Sequence, residues 1–207
     1  MKYFRNIKPL LLLLLIMLLS IPPCLAQEEP RPTSWAQPLI LTGVPNFNKI
    51  SDTLYRSAQP TDEGMKNLKQ FGIETIVNLR SFHSDREKIA NTGMAYEHIY
   101  MKAWHPEKVD VVRFLQIATN PRRTPILVHC LHGADRTGTM IAIYRIAIQG
   151  WSKEEALREM SKGGYNFHEF WINMPKWIEE LDIEAIKKEA GLTDPKPQQT
   201  KDNPERE

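Results

Sequence analysis

Hydrophobic and polar residues alternate with two different periods along this chain, and the switches between them outline its elements. Leu54–Ser57 is a short strand candidate. Thr61 can cap a helix that carries Met65, Leu68 and Phe71 on one face. Ile73–Leu79 predicts a strand and Ala95–Tyr100 a weaker one. Pro106 suits the first turn of a helix running to about Asn120, where Pro121 ends it. Pro125–His129 is continuously apolar before its final histidine, the pattern of a strand buried on both faces. The helix predicted from about Thr137 to Gln149 is apolar nearly all round, so it belongs in the centre. Ser152 and Glu155 form a capping box for the next helix. Phe170 to about Glu189 is helical with a stripe of Trp171, Ile178 and Leu181, and Pro175 is expected to break or kink it.

Strands alternating with helices predict an α/β fold: a single three-layer domain with a central, largely parallel sheet flanked by helices. In such sheets ligands bind beyond the carboxyl ends of the strands. Arg80, the Trp104–His105 loop and Cys130 each follow a strand and are expected at that edge. Arg122 and Arg123 precede theirs and are expected at the opposite edge, as a solvated loop.

The ends read differently. Lys2, Arg5 and Lys8 precede an apolar run from Leu10 to Leu19, and Cys24-Leu25-Ala26 supplies small residues before a cut. Residues 1–26 therefore read as a signal peptide, cleaved near Ala26, with the run too short to span a bilayer. Residues 27–45 read as a linker, 46–190 as the domain, and 191–207 as a disordered tail poor in apolar residues. Cleavage leaves 24 Lys and Arg against 25 Asp and Glu, and only one of the two cysteines, Cys130. The chain is thus expected to be exported, periplasmic or secreted, and to meet the membrane only transiently. It carries no basic tract that would favour nucleic acid. A lone exported cysteine forms no disulfide within its chain, so it is either apolar filler or a reactive group.

Its neighbours decide. Residues 129–138 read His-Cys-Leu-His-Gly-Ala-Asp-Arg-Thr-Gly, between a buried strand and a buried helix. A tight turn there directs main-chain N–H groups of Leu131, His132, Gly133, Ala134, Asp135 and Arg136 at an anion. Gly133 permits unusual dihedrals, and Arg136 offers a planar fork for two phosphate oxygens. Helix dipole and arginine both favour a thiolate at Cys130. These ten residues resemble the signature of the cysteine-dependent protein tyrosine phosphatase superfamily, H-C-x5-R-[ST]-G. Leu54–Pro60, Val77–Arg80 and Gly164–Trp171 are more loosely similar to compact, dual-specificity-like bacterial phosphatases. The resemblance implies Cys130 as nucleophile, Arg136 as phosphate clamp, Thr137 as the hydroxyl for hydrolysis and His129 as a scaffold. It implies a phosphocysteine intermediate on a phosphorylated protein or small phosphorylated substrate, with no metal or other cofactor.

One departure matters. Many members carry Trp-Pro-Asp upstream, where Asp is the acid; this chain has Trp104-His105-Pro106-Glu107. Asp135 is favoured as proton donor over His105, with Glu107 and Asp110 as further loop candidates, and bracing of the loop as Asp135's other reading. His132 is expected at the rim and His168 in a structural role. Arg56 reads as a buried ion-pair partner. Arg80 is either another or a substrate contact, and Trp104 either walls the cleft or fills the core. The competing functions are an inositol-phosphate or phosphoinositide phosphatase, a rhodanese-type sulfur transferase, and an inactive module that binds phosphorylated partners. The oligomeric state is left open.

Overall fold

A computed structural model of the chain describes residues 30–193. The expected signal peptide, 1–26, lies outside the described residues, as does the expected tail beyond Thr193. Apart from Pro30 and Arg31, the described residues form one compact unit.

Six strands make one sheet: β1 (Gln37–Pro38), β2 (Asn48–Lys49), β3 (Leu54–Ser57), β4 (Thr75–Asn78), β5 (Ala95–His98) and β6 (Ile126–His129). Their order is β1-β2-β3-β6-β4-β5. The first three pair antiparallel, and β3, β6, β4 and β5 run parallel. The parallel core matches the expectation. Its strands are shorter than their apolar runs suggest, because Ile73 and Leu79 are buried beyond the ends of β4.

Side chains along each strand alternate between two cores. Leu54, Val77, Ile126 and Val128 face one, filled by α3 (Lys108–Ala118), α4 (Asp135–Gln149), α5 (Lys153–Lys162), α6 (Asn173–Glu180) and α7 (Ile183–Glu189). Tyr55, Ile76 and Leu127 face the other, with Met65 and Leu68 of α1 (Asp62–Phe71) and Ile89 of α2 (Arg86–Ile89). The result is three layers. Thr61 caps α1 as expected, its Oγ1 accepting from Gly64 N–H at 3.0 Å, and Gly72 closes it in the left-handed region. Ser152 caps α5 by accepting from Glu155 N–H.

Three expectations need correction. Helix α4 starts at Asp135 and not Thr137, so Asp135 and Arg136 occupy its first turn. Pro175 neither breaks nor kinks a helix: it sits in the first turn of α6, where its missing N–H costs nothing, and the chain bends at Leu181–Asp182 before α7. Ordered packing also begins inside the segment read as a linker. Trp35, Ala36 and Val44 are buried, and Ala36 N–H donates to Glu159 Oε1. Glu159 in turn forms a buried two-point pair with Arg145, both contacts 2.8 Å. Strands of two residues, at prolines and polar positions, leave no periodic signal to read.

Candidate active site

The loop from Cys130 to Ala134 leaves the central strand β6 and enters α4. What shapes it is the fate of its carbonyls. Leu131 O accepts from Gln59 N–H at 3.1 Å. His132 O accepts from Asn46 Nδ2 at 3.1 Å. Gly133 O accepts from Arg56 Nη2 at 2.6 Å. Ala134 O accepts from Gly138 N–H within α4. Four consecutive carbonyls are thus drawn off to the scaffold. The N–H groups of Leu131, His132, Gly133 and Ala134 donate to no carbonyl or side chain among the described residues. Together with the N-terminus of α4 they form a set of donors with no internal acceptor, an arrangement that can receive an anion.

Gly133 is what lets the loop turn. Its φ is +69°, and a Cβ there would lie 2.5 Å from the main-chain carbonyl of Ser57. The β3 continuation, Ser57–Gln59, therefore lies directly beneath the loop. Gly133→Ala is expected to lower kcat/KM on p-nitrophenyl phosphate by about 10²-fold, because the loop must lift from Ser57 and misplace its donors. Circular dichroism should show the fold retained. Near-normal turnover would show that loop shape does not limit the reaction.

Cys130 is buried and is the free cysteine among the described residues. The guanidinium of Arg136 is partly buried and reaches Leu79 O, at 3.4 Å, at the end of β4. Thr137 is fully buried, and its hydroxyl has no hydrogen-bond partner among the described residues. His129 is held on both sides: Nδ1 lies 3.2 Å from Cys130 O and Nε2 3.1 Å from Asp85 Oδ2.

Asp85 is a hub that sequence reasoning missed. It accepts from Asn78 Nδ2 at 2.6 Å and Gln59 Nε2 at 2.7 Å, and lies 3.3 Å from His83 Nε2. Burial alone would raise its pKa; the bonds and charges of His129, Gln59 and His83 outweigh burial and hold it below the usual carboxylate range. Gln59 and Asn78 also fix Arg80, whose Nη1 donates to Gln59 Oε1 at 2.9 Å and whose N–H donates to Asn78 Oδ1 at 2.8 Å. Burial lowers the pKa of Arg80, with Asp85 opposing; it lies near enough to Arg136 and Cys130 for their charges to act on it. The structure thus brings Arg80 to the same edge as the loop.

Arg56 is not the ion-pair partner expected. Fully buried, it donates to Gly133 O and sits over the Tyr165 ring, 3.7 Å from its centroid, while Glu159 is taken by Arg145. Burial pushes its pKa down, and Tyr165, Glu159 and Cys130 act the other way. Asn46 and Asp85 support the loop from distant positions outside the stretches that carried a signal, whereas Arg56, Gln59, Asn78 and Tyr165 lie within Leu54–Pro60, Val77–Arg80 and Gly164–Trp171.

Asp135 is buried and clamped by His168. Its Oδ1 accepts from His168 N–H at 2.9 Å, and its Oδ2 lies 2.8 Å from His168 Nδ1. His132 is exposed at the rim, its ring 5.2 Å from that of His168. The upstream loop follows β5 and leaves the same edge of the sheet, since β5 runs parallel to β4 and β6. Trp104, His105 and Pro106 line a hollow with Asn173, Lys176, Trp177 and Glu180 of α6. Trp104 is 59% exposed, so it does not fill the core. His105 is exposed, with Nε2 3.9 Å from Glu107 Oε1. Asp110 has its pKa raised by burial, reinforced by Glu107.

Comparison with known proteins places this geometry. The family model described as the DSP-PTPase phosphatase fused to NAD+ kinase matches residues 43–177. The dual specificity protein phosphatase TpbA of Pseudomonas aeruginosa is 35% identical over 167 residues, 76% of this chain and 72% of that protein. The crystal structure of TpbA superimposes with a TM-score of 0.68 at 30% identity, covering 78% of this chain and 99% of the other; a cysteine-to-serine variant of TpbA in complex with phosphotyrosine gives the same score. The inositol diphosphatase DSP5 of Arabidopsis thaliana is 28% identical over 162 residues, 72% of this chain and 75% of that protein. With the matching family model and the similarity to TpbA, and with a cysteine at the start of a loop between a parallel strand and a helix, the chain belongs to the DSP-PTPase family of cysteine-dependent phosphatases.

Proposed function

We propose that this phosphatase is exported and removes phosphate from proteins, phosphotyrosine above all. The observation that carries the substrate reading is the apolar rim. Phe82, Tyr100, Trp104, Leu131 and Phe170 are large and exposed, and each stands in the loops beyond the strand ends or beside them. Exposed apolar side chains of this kind suit an aromatic ring and peptide rather than a polyanion. The loop's variable positions, Leu131, His132, Ala134 and Asp135, hold no lysine or arginine. TpbA, with its phosphotyrosine complex, supports the same reading. Turnover of phosphotyrosyl peptides is expected to exceed that of inositol polyphosphates; the reverse order would favour the inositol reading that DSP5 represents. Export rests on the signal-like residues 1–26. Mass spectrometry should find a mature N-terminus at Gln27, and a full-length cytosolic chain would refute it.

In this mechanism the phosphate occupies the loop and Arg136 grips two of its oxygens. The Cys130 thiolate attacks phosphorus in line, and the bond to the leaving oxygen breaks. Asp135, paired with His168, supplies the proton to that oxygen. Water then hydrolyses the phosphocysteine, with the unpartnered Thr137 hydroxyl free to donate to the departing sulfur. His129, buried between Cys130 O and Asp85, keeps the loop's start in place. Catalysis here is mostly positioning and charge stabilisation.

The proton donor is tested by leaving group. Asp135→Asn is expected to slow phenyl phosphate hydrolysis by about 10²–10⁴-fold. The loss should shrink for p-nitrophenyl phosphate, whose leaving group needs no proton. An equal loss on both would mean that Asp135 only braces the loop. A leaving-group-dependent loss in His105→Asn instead would return the acid to the upstream loop.

A further inference from the structure

The side chains of His132, Asp135 and His168 stand together, and their main-chain N–H groups are not what offers ligands here. Each can offer one ligand atom, and the three atoms lie within 4.8 Å of one another. Two imidazole nitrogens and a carboxylate oxygen are a donor set for Zn²⁺, with bonds of about 2.0–2.2 Å. Such bonds set neighbouring donors roughly 3 Å apart. Asp135 Oδ2 and His168 Nδ1 already stand at 2.8 Å.

The arrangement is built rather than accidental. Asp135 is buried in the first turn of α4. The His168 main-chain N–H donates to Asp135 Oδ1, which sets the backbone of one ligand against the side chain of the other. His132 has its carbonyl fixed by Asn46, while its exposed side chain is free to swing inward. Closing the site needs one exposed imidazole to move. The proton on the Asp135–His168 pair leaves to solvent as the metal enters. Imidazoles favour zinc and its neighbours over magnesium or calcium.

We propose that His132, Asp135 and His168 form a Zn²⁺ site at the rim of the phosphate loop, and that zinc bound there reversibly stops turnover. The block rests on the reading of Asp135 as proton donor, since a carboxylate ligating zinc has no proton to give. Binding itself does not rest on that reading.

The test separates the two. Cys130→Ser serves as host for calorimetry with Zn²⁺, because a free thiolate would bind zinc on its own. One equivalent of Zn²⁺ is expected to bind, and Mg²⁺ not. His132→Gln and His168→Gln, each in that host, are expected to weaken zinc binding by more than tenfold. His132 is exposed, so its variant folds even if the His168 variant does not. No saturable binding, or binding unchanged in both variants, would overturn the site. With Cys130 intact, zinc should inhibit and a chelator restore activity, and His132→Gln should lose that zinc sensitivity relative to its own metal-free rate. Zinc that binds at the three residues but leaves turnover unchanged would overturn the block while leaving the site in place. Inhibition undiminished in His132→Gln would assign the block to Cys130.

Discussion

Replacing Cys130 by serine is expected to reduce turnover by at least about 10⁴-fold, as loss of a covalent nucleophile does. The substitution exchanges one atom in a buried position at the end of β6, so the fold has no reason to change. The hydroxyl is not ionised near neutral pH and cannot replace the thiolate as attacking group. The anion site does not depend on sulfur. Its shape comes from Gln59, Asn46 and Arg56 drawing off the loop carbonyls, and those bonds remain. Tungstate, a phosphate mimic, should therefore still bind in calorimetry. Lost turnover with retained binding is the signature of a missing nucleophile. Activity within about tenfold of the parent would sink the phosphocysteine intermediate.

Arg136→Lys is expected to cost about 10³-fold or more in kcat/KM, the range seen for arginines that stabilise a transferring phosphoryl group. The charge is kept, so a simple electrostatic role predicts a small loss. The planar fork is not kept, and a point charge cannot hold two oxygens at fixed separation. Arg136 also rests against Leu79 O, which a shorter head group would not reach with the same geometry. Unlike Cys130→Ser, this variant should lose tungstate affinity together with turnover. Near-normal kinetics would show that the clamp is another residue, and Arg80, at the same edge, is the first to examine.

These two residues were legible because their chemistry is local. Strand, loop and helix are consecutive in the sequence, and apolar runs mark both sides. The parallel order followed from the same alternation of periods. Arg80 was expected at the same edge, but most of what reaches the loop from far along the chain was not legible. Asp85 sits in the polar stretch Ser81–Lys88, which offered no element to read, yet it is fully buried and lies against His129. Arg56 read as an ion-pair partner because buried arginines usually need a carboxylate; a carbonyl and an aromatic face serve here instead. His168 read as structural, and its contacts are with Asp135, the one loop residue whose role the sequence left most open. Trp35 and Ala36 looked like linker because two-residue strands carry no period, and the groups that meet them, Arg158 and Glu159, stand more than a hundred positions on.

The place of β6 in the sheet has a consequence for how the enzyme comes into being. It is the last strand among the described residues but lies between β3 and β4, where Leu54 and Thr75 both register with Ile126. No growing or truncated chain that stops short of β6 can close the parallel sheet, since its middle member is absent. Sheet closure must bring together segments far apart in sequence, which makes folding slow for a domain of this size. The cysteine follows directly on that strand. Assembly of the sheet and assembly of the anion site are therefore one late event, and the chain has no active site until synthesis has passed it.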